Sequence, residues 1–493
     1  RVFGVKREGR STSSLLLENL KVFGEHRGFS VLLQHLKQEK SPPSLDMVDA
    51  IVSVAEKFVY VLSRRVAQNF CARFVDTVLN ILIRLDKQTL RNFRPEMLQK
   101  MIRRLRPLLS RVKTTLEVSR RFEIFRLSMI QKLLKLPMIT QRRYALVMLC
   151  HCIDLAEKAE RFPKGERVEF STRSDTSEMN CVTSTLHVVP IARYLSCELL
   201  VRWITKNDIL TPLFEGDLAH EQLMKQSERV FKFLAIRQVL SVDMVKMAWR
   251  AARSAQDTNT HEIVFILLLN MTSVLSTAHR KSLMRSLCEV PVSDASKESM
   301  LLAQNLVLSS ANDMNKKGEE KDQNSNASTI RRGVNCLWSI MQDGSGASRD
   351  IASLALSSLS ALLCRPELEF QREVYLVKCI EHISESKSVP QMMYMMQSLL
   401  FMYFEDGQAG DDDASQKNFV TRAHVIEELN REHHLLSVLM GELESFKKSC
   451  ESRVPGNDTR LTSVFIDPQV VREKHWQCTY DEQIRARLDF LSL

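Results

Sequence analysis

Between Leu195 and Val290, apolar side chains recur every three or four positions, and this spacing constrains the fold more than any other feature of the sequence. The recurring positions form one apolar stripe on each of several short helices. Polar breaks such as 206–208 and 255–257 separate these helices. Because a short helix with a single apolar stripe cannot bury that stripe alone, each helix must pack against its neighbours along the chain.

The same helical spacing recurs on both sides of this stretch, in helices of very different length. Variable helix length is typical of armadillo and HEAT arrays and unlike the stricter tetratricopeptide pattern. The low content of Gly and Pro, 14 and 13 residues, also favours helices over a β-rich fold. We therefore expect an all-α fold, an α-solenoid of irregular armadillo/HEAT-like helix pairs with three polar loops.

Polar stretches divide the chain into helical blocks. We expect N-terminal helical repeats over 1–161, a polar loop over 162–189, central repeats over 190–311, a disordered linker over 312–328, further repeats over 329–404, an acidic loop over 405–417 and C-terminal helices over 418–493. The linker is predicted to be disordered because its central segment, DMNKKGEEKDQNSN, has almost no apolar residues. Both ends of the chain lack capping signals, so we expect a part of a longer protein.

The eleven cysteines are scattered singly on helical faces, apart from the close pair Cys150 and Cys152. Disulfide frameworks of secreted proteins are denser and occur in shorter chains. We therefore expect reduced, buried thiols and a cytoplasmic protein, with the nucleus as the alternative location. The apolar run at 263–276 is too short for a membrane span, and we predict none.

Positive charge concentrates between Arg91 and Arg143, where fifteen basic residues face three acidic ones. The net charge of this basic block, +12, exceeds the +10 of the whole chain. A surface of this kind can bind an acidic protein segment, an anionic membrane or the acidic loop of the same chain at 405–415, although a solvated helix face is the more common outcome. Nucleic acid is disfavoured because no aromatic residues are interleaved for stacking. The predicted partner-binding residues are Lys100, Arg103, Arg104, Arg111, Arg120 and Arg121.

Three short motifs suggest chemistry, and each has a structural interpretation that we favour. Cys150-His151-Cys152 lies on a predicted helix, where consecutive side chains diverge, whereas zinc needs four converging ligands. The segment DGSGAS at 343–348 lacks the Lys of a phosphate-binding loop and is predicted to be a turn with Ser348 as N-cap. We predict no metal site and no cofactor. A methionine-rich segment at 391–404 is predicted to be core through Met392, Met395, Met396, Leu399 and Met402.

The stretch that begins at Leu195 also carries a resemblance. Its residues are Leu195, Glu198, Trp203, Ile204, Asn207, Ile209, Leu210, Glu228, Phe233, Leu240 and Trp249. The resemblance continues through CLWSIM at 336–341 and through the segments 422–440 and 467–491. This pattern resembles the helical-repeat scaffold that precedes the catalytic domain in giant ubiquitin-specific proteases of the fat-facets type.

The resemblance implies a function for the chain but no catalytic residue within it. The Gly-Asn-Thr-Cys and Gly-His-Tyr boxes of that family do not occur in the sequence. The implied function is a protein-interaction scaffold of a large thiol-dependent deubiquitinase, with the catalytic domain outside this chain and ubiquitinated substrates or adaptors as partners. The alternative is a stand-alone armadillo-type adaptor or transport factor that binds an acidic partner through the basic block.

Overall fold

A computed structural model of the chain describes residues 12–28, 30–31, 33–34, 44–58, 64–92, 94–111, 116–161, 195–215, 219–255, 257–314, 320–403, 421–453 and 480–491. The predicted loops 162–189 and 405–417 lie outside these residues. The chain divides into two compact units, 1–239 and 240–493. This division falls inside the central block predicted at 190–311.

Besides helical residues at 28, 30–31 and 33–34, the first unit contains ten helices whose bounds are described. They are α1 (Thr12–Glu25), α2 (Leu45–Phe58), α3 (Arg64–Ile83), α4 (Lys87–Arg91), α5 (Pro95–Arg111), α6 (Leu116–Leu134), α7 (Ile139–Arg161), α8 (Cys197–Lys206), α9 (Thr211–Phe214) and α10 (Glu221–Ile236). Local sequence fixes several starts: Ser44 Oγ accepts the Met47 backbone N–H at 3.3 Å, and Pro95 is the first residue of α5.

Helices of the first unit pack against near neighbours along the chain. Helices α2 and α3 both pack against α5, α3 also packs against α6, and α6 packs against α7, which in turn contacts α10. The core consists of the apolar stripes predicted from the spacing, with Phe74, Phe122, Phe125 and Phe233 almost fully buried. Each stripe is thereby covered by the helices next to it, as helical repeats require.

The second unit contains eleven α-helices and two short 3₁₀ helices within its described residues. The α-helices are α11 (Val242–Ser254), α12 (Thr258–Met271), α13 (Thr277–Cys288), α14 (Lys297–Met314), α15 (Glu320–Met341), α16 (Arg349–Leu363), α17 (Glu369–Ser384), α18 (Val389–Leu400), α19 (Arg422–His433), α20 (Leu435–Arg453) and α21 (Tyr480–Leu491). The 3₁₀ helices are Val292–Asp294 and Pro366–Leu368.

Packing in the second unit is again between near neighbours. Helix α13 packs against α11, α14 and α15, while α16 packs against α14, α15 and α18. Helices α17 and α18 pack together, and α21 lies against α18. The described residues contain no β-strand. Each unit is therefore an all-α array of stacked helices, which confirms the predicted solenoid class.

Two local predictions in the second unit are confirmed at the residue level. Ser348 is the N-cap of α16 and its Oγ accepts the Ile351 backbone N–H at 3.4 Å. In the methionine-rich segment, Met392, Met395, Met396 and Leu399 are fully buried. The fifth predicted core residue, Met402, is 44% exposed because α18 ends at Leu400 and the chain turns there.

The linker predicted at 312–328 is shorter than expected, because helix occupies most of it. Helix α14 continues to Met314, where Asp313 forms an ion pair with the buried guanidinium of Arg280 on α13. Helix α15 begins at Glu320, and its first turns bury Asn326 and Thr329. The prediction of disorder was based on the lack of apolar residues in this segment. An ion pair and small buried polar side chains hold these helical turns instead.

Among the described helices, none alone is long and apolar enough to cross a membrane. The pair Arg349–Leu363 and Pro366–Ser384 meets that test of length and composition only jointly, and it is bent by 92°.

Candidate partner-binding surfaces

The residues predicted to bind a partner lie on two helices of the first unit, both packed against α3. They are Lys100, Arg103, Arg104 and Arg111 on α5, and Arg120 and Arg121 on α6. We call these six residues the basic surface. The side chain of Arg111 lies outside the described part of the chain.

Two members of the basic surface converge on one acidic residue of α2. Arg104 is only 18% exposed in its side chain, and its Nη1 lies 2.7 Å from Asp49 Oδ1. Its Nε lies 3.6 Å from a carboxylate oxygen of Glu56. Lys100 lies 3.7 Å from the second carboxylate oxygen of Asp49 but keeps 57% of its side chain exposed. Arg104 therefore connects α5 to α2, whereas Lys100 mainly faces solvent.

A third member connects α6 to α3. The Arg121 guanidinium lies 2.5 Å from Asp76 Oδ1, and both side chains remain partly exposed. Further along α6, Arg126 and Glu123 form a buried ion pair at 2.9 Å. Glu123 is one of the three acids of the basic block, and it is neutralised inside the helix that carries it.

The other described members, Arg103 and Arg120, are exposed. No ion pair to either side chain occurs among the residues that the structure describes. Together with Lys100, they make up the part of the basic surface that presents positive charge to solvent. Arg103 lies one helical turn from Lys100, whereas Arg120 is on the other helix.

Two further basic residues of the block hold the backbone of other segments. Lys132 Nζ donates to the carbonyl oxygens of Ile83 at 2.5 Å and Leu85 at 3.1 Å, at the end of α3. Arg142, which is buried, donates to the carbonyl oxygen of Pro212 at 3.1 Å. The net charge of 91–143 thus overstates the charge available to a partner. Carbonyl and carboxylate oxygens outside that segment accept hydrogen bonds from several of its basic side chains.

The Cys150-His151-Cys152 motif has its three side chains in different environments. Cys152 is buried, Cys150 is half-buried and His151 is exposed. Burial raises the pKa of the Cys150 thiol to about 12. Helical geometry accounts for this divergence, since consecutive side chains point about 100° apart.

A cavity of about 280 Å³ lies in the second unit, between α13, the connection to α14, the start of α14 and α15. Its walls are mostly apolar, for example Leu287, Val292 and Met300. Arg332 and Asn335, both exposed residues of α15, contribute polar groups to it. We call it the α13–α15 cavity. An apolar cavity with a few polar groups is suited to receive an apolar side chain or a small ligand.

The polar side of the α13–α15 cavity is held in place by α17. Asn335 Oδ1 accepts hydrogen bonds from the Tyr375 hydroxyl at 2.7 Å and from Lys378 Nζ at 3.3 Å. Lys378 Nζ also lies 4.3 Å from the centre of the Tyr375 ring, and burial lowers its pKa. Trp338 packs edge-on against Tyr375. These contacts fix the position of Asn335 at the cavity.

No sequence motif indicates the α13–α15 cavity. Its residues lie in two segments, 287–300 and 332–340, that are separated by most of α14, and no local motif joins them. The available signal was CLWSIM at 336–341, which carries the family resemblance and includes Cys336, Trp338 and Ile340. Cys288 and Cys336, predicted to be buried, are both half-buried in the cavity wall.

The residues of the other resemblance segments serve mainly to pack and cap helices. Ile204, Phe233 and Trp249 are buried. Asn207 caps the end of α8: its Nδ2 donates to the Trp203 carbonyl oxygen at 2.8 Å, while its Oδ1 accepts from Gln131 Nε2 of α6 at 2.6 Å. In the part of the chain that the structure describes, the pattern therefore corresponds to a packed helical framework.

Comparison with known proteins agrees with this framework. Human ubiquitin carboxyl-terminal hydrolase 9Y is 20% identical over 502 residues, covering 99% of this chain and 18% of the relative. Mouse ubiquitin carboxyl-terminal hydrolase 9X gives the same identity and coverage. The probable ubiquitin carboxyl-terminal hydrolase FAF of Drosophila melanogaster is 21% identical over 419 residues, covering 82% of this chain and 14% of the relative. The chain thus spans less than a fifth of the length of these relatives.

A family model described as UBP24/USP9X/USP9Y ARM repeat matches residues 120–493. The matched range begins within α6 and includes all of the second unit. The predicted resemblance to ubiquitin-specific proteases of the fat-facets type is confirmed by this match and by the relatives. The chain belongs to the ARM-repeat family of the UBP24, USP9X and USP9Y ubiquitin-specific proteases.

Proposed function

We propose that this chain is a protein-interaction scaffold of a ubiquitin-specific protease, a thiol-dependent deubiquitinase whose catalytic domain lies outside these 493 residues. The scaffold binds ubiquitinated proteins or their adaptors, in the cytoplasm or the nucleus, and holds them for that domain. The observation that carries the proposal is the ARM-repeat match over 120–493, together with relatives that are named as ubiquitin hydrolases.

The packing of the helices supports a role in binding. Stacked helical repeats bury one stripe of each helix and leave the other faces as an extended surface, which such proteins use for partners. In the second unit that surface includes the α13–α15 cavity, with apolar walls and the exposed polar residues Arg332 and Asn335. A cavity of this composition favours a protein partner that inserts an apolar side chain.

The proposal assigns no catalytic residue to this chain. A cysteine hydrolase needs a thiolate whose proton is taken by a neighbouring His. The Cys288 thiol has the Arg332 carbonyl oxygen as its hydrogen-bond acceptor, and no His is among the residues that line the cavity with it. The test is hydrolysis of a ubiquitin–coumarin conjugate by the purified chain. We expect no coumarin release above the buffer rate, and catalytic turnover by the chain alone would contradict the proposal.

The exposed members of the basic surface favour a second function, binding of an acidic partner by a stand-alone adaptor. Lys100, Arg103 and Arg120 present charge to solvent in the first unit. Binding through such residues weakens as salt screens the charges. The test is binding of a fluorescent polyglutamate peptide at increasing ionic strength. A loss of affinity with salt supports this function, and affinity that does not depend on salt contradicts it.

A further inference from the structure

Two cysteines of the second unit line the α13–α15 cavity. Cys288 is the last residue of α13, and Cys336 lies in the last third of α15. Both line the cavity and both are half-buried. Cys288 Sγ lies 3.7 Å from the carbonyl oxygen of Arg332, one helical turn before Cys336, so the two thiols are neighbours at the cavity. This is a pair of neighbouring thiols on two helices that are separated in the chain by α14.

A close contact at Gly333 of α15 lies next to this pair. Gly333 lies one turn before Cys336 on α15, and a Cβ atom there would be 2.4 Å from Val307 Cγ2 on α14 and 2.7 Å from Met284 Cε on α13. Only glycine permits this spacing without displacement of a neighbour. Because Met284 and Cys288 lie one turn apart on α13, the close contact at Gly333 and the thiol pair occupy adjacent turns of the same interface.

The chemistry of Cys288 differs from that of other described cysteines. Burial raises the pKa of the half-buried Cys150 and Cys364 thiols. The pKa of Cys288 is lowered, first by the hydrogen bond from Cys336 and then by the positive charge of Arg332. The pKa of Cys336 is raised, chiefly by the same hydrogen bond. The pair therefore favours a Cys288 thiolate that accepts a hydrogen bond from a protonated Cys336.

We propose that Cys288 and Cys336 form a reversible oxidation site, at which hydrogen peroxide converts the two thiols into a disulfide between α13 and α15. The proposal goes beyond the scaffold function, since it assigns a modification site to the interior of the second unit. A disulfide forms after oxidation where a solvent-accessible thiolate has a second thiol beside it.

The reaction proceeds in two balanced steps. The Cys288 thiolate attacks one peroxide oxygen, an S–O bond forms, the O–O bond breaks, and the departing hydroxide takes a proton to become water. The sulfur is oxidised by two electrons and the peroxide is reduced. Cys336 then attacks the sulfur of the resulting sulfenic acid, an S–S bond forms, the S–O bond breaks, and hydroxide leaves with the Cys336 proton as water. Two thiols and one peroxide give one disulfide and two waters.

The α13–α15 cavity gives peroxide access to the pair. Its volume of about 280 Å³ exceeds that of a small polar molecule by far, and exposed residues such as Arg332 lie at its edge. The product disulfide joins the end of α13 to the last third of α15 and closes a loop that contains α14. It therefore cross-links two helices that α14 separates in the chain.

The experiment is non-reducing peptide mapping of the purified, reduced chain after treatment with hydrogen peroxide. We expect a cross-linked peptide pair containing Cys288 and Cys336, a mass decrease of two hydrogens, and full reversal by dithiothreitol.

In the Cys336→Ser variant, Cys288 should remain as a sulfenic acid that dimedone labels. In the Cys288→Ser variant, dimedone labelling of Cys336 should be about tenfold or more weaker than the labelling of Cys288 in Cys336→Ser. Cys364→Ser is the matched control, because Cys364 is likewise half-buried and has a backbone carbonyl as its hydrogen-bond acceptor, but it does not line the α13–α15 cavity.

The result that would overturn the proposal is equally specific. Oxidation that spares the pair while other thiols react, in a chain that circular dichroism shows to be folded, excludes a selective site. Dimedone labelling of Cys336 in Cys288→Ser that is as strong as the labelling of Cys288 in Cys336→Ser excludes Cys288 as the attacking thiol. A Cys288–Cys336 cross-link that forms at the same rate when the unfolded chain is treated with peroxide would show that the folded arrangement contributes nothing.

Discussion

Gly333 of α15 lies so close to Val307 of α14 that a Cβ atom at position 333 would be 2.4 Å from Val307 Cγ2. Both residues are buried, and Met284 of α13 closes the same contact. The three helices thus meet at a position where only a glycine fits. Gly441 of α20 offers the opposite case, since no atom lies within 4 Å of the Cβ position there.

The first prediction compares alanine at these two glycines. Gly333→Ala gains helix propensity but must displace the Val307 methyl group, so we expect a net loss of about 1 kcal/mol in the free energy of unfolding. Gly441→Ala meets no neighbour and should gain about 0.5–1 kcal/mol. Urea denaturation followed by circular dichroism measures both. Equal effects of the same sign would contradict the close contact at Gly333.

The second prediction concerns pH. His279 is buried on α13, with its Nδ1 2.5 Å from Ser276 Oγ and its Nε2 2.9 Å from the Leu240 carbonyl oxygen. Burial lowers its pKa below the usual 6.5. The unfolded chain therefore binds a proton on this residue at a higher pH than the folded chain does, and the free energy of unfolding falls as the pH drops below about 6.5.

Replacement of this histidine tests the prediction. In His279→Gln the side chain keeps a polar group near Leu240 but does not titrate. We expect the variant to lose less stability than the wild type between about pH 7 and pH 5. Denaturation midpoints at several pH values give the two slopes. Identical slopes would mean that His279 is not held neutral by burial.

The third prediction concerns the buried ion pair between Arg487 of α21 and Glu442 of α20. Ser386 Oγ also donates to Glu442 at 3.3 Å, and the Arg487 guanidinium lies 3.8 Å from the Phe446 ring centre. Removal of one partner leaves a buried charge, so Arg487→Ala should lower the free energy of unfolding by about 3–5 kcal/mol. The exposed pair Glu198 and Arg202 is the control.

In that control, Arg202→Ala should change the free energy of unfolding by less than about 1 kcal/mol, because solvent screens an exposed pair. Calorimetry or urea denaturation resolves the difference. A loss at Arg487 no larger than the loss at Arg202 would show that α21 is not anchored by this pair.

The fourth prediction separates the exposed and the structural members of the basic surface. Arg103→Glu combined with Arg120→Glu should weaken polyglutamate binding at low salt by about tenfold, with little change in stability. Arg104→Ala removes the contacts to Asp49 and Glu56 and should instead lower the free energy of unfolding by about 1 kcal/mol. Fluorescence anisotropy and urea denaturation measure the two effects. If Arg104→Ala weakens polyglutamate binding and the Arg103→Glu, Arg120→Glu variant does not, the division into exposed and structural members is contradicted.

Helix positions were largely predictable from the sequence. The cap at Ser44, the start of α5 at Pro95 and the cap at Ser348 depend on residues within one turn, so local rules identify them. The burial of Met392, Met395 and Met396 followed from their spacing.

Contacts between distant segments were not predictable in the same way. Chain order favours a hairpin of the consecutive helices α2 and α3, but both pack against α5. Asp49 and Asp76, which neutralise Arg104 and Arg121, lie outside the basic block, so a local charge count omits them. Cys288 and Cys336 are brought together only by the packing of α13 on α15.

The most direct test of the scaffold function is competition, with the isolated chain added in excess to the full-length protease that contains it. We predict slower removal of ubiquitin from protein conjugates, because the added chain binds the same substrates or adaptors, and an unchanged rate with a ubiquitin–coumarin conjugate, which needs only the catalytic domain. Unchanged rates with both substrates, at a concentration of the folded chain far above that of the protease, would contradict the proposed function.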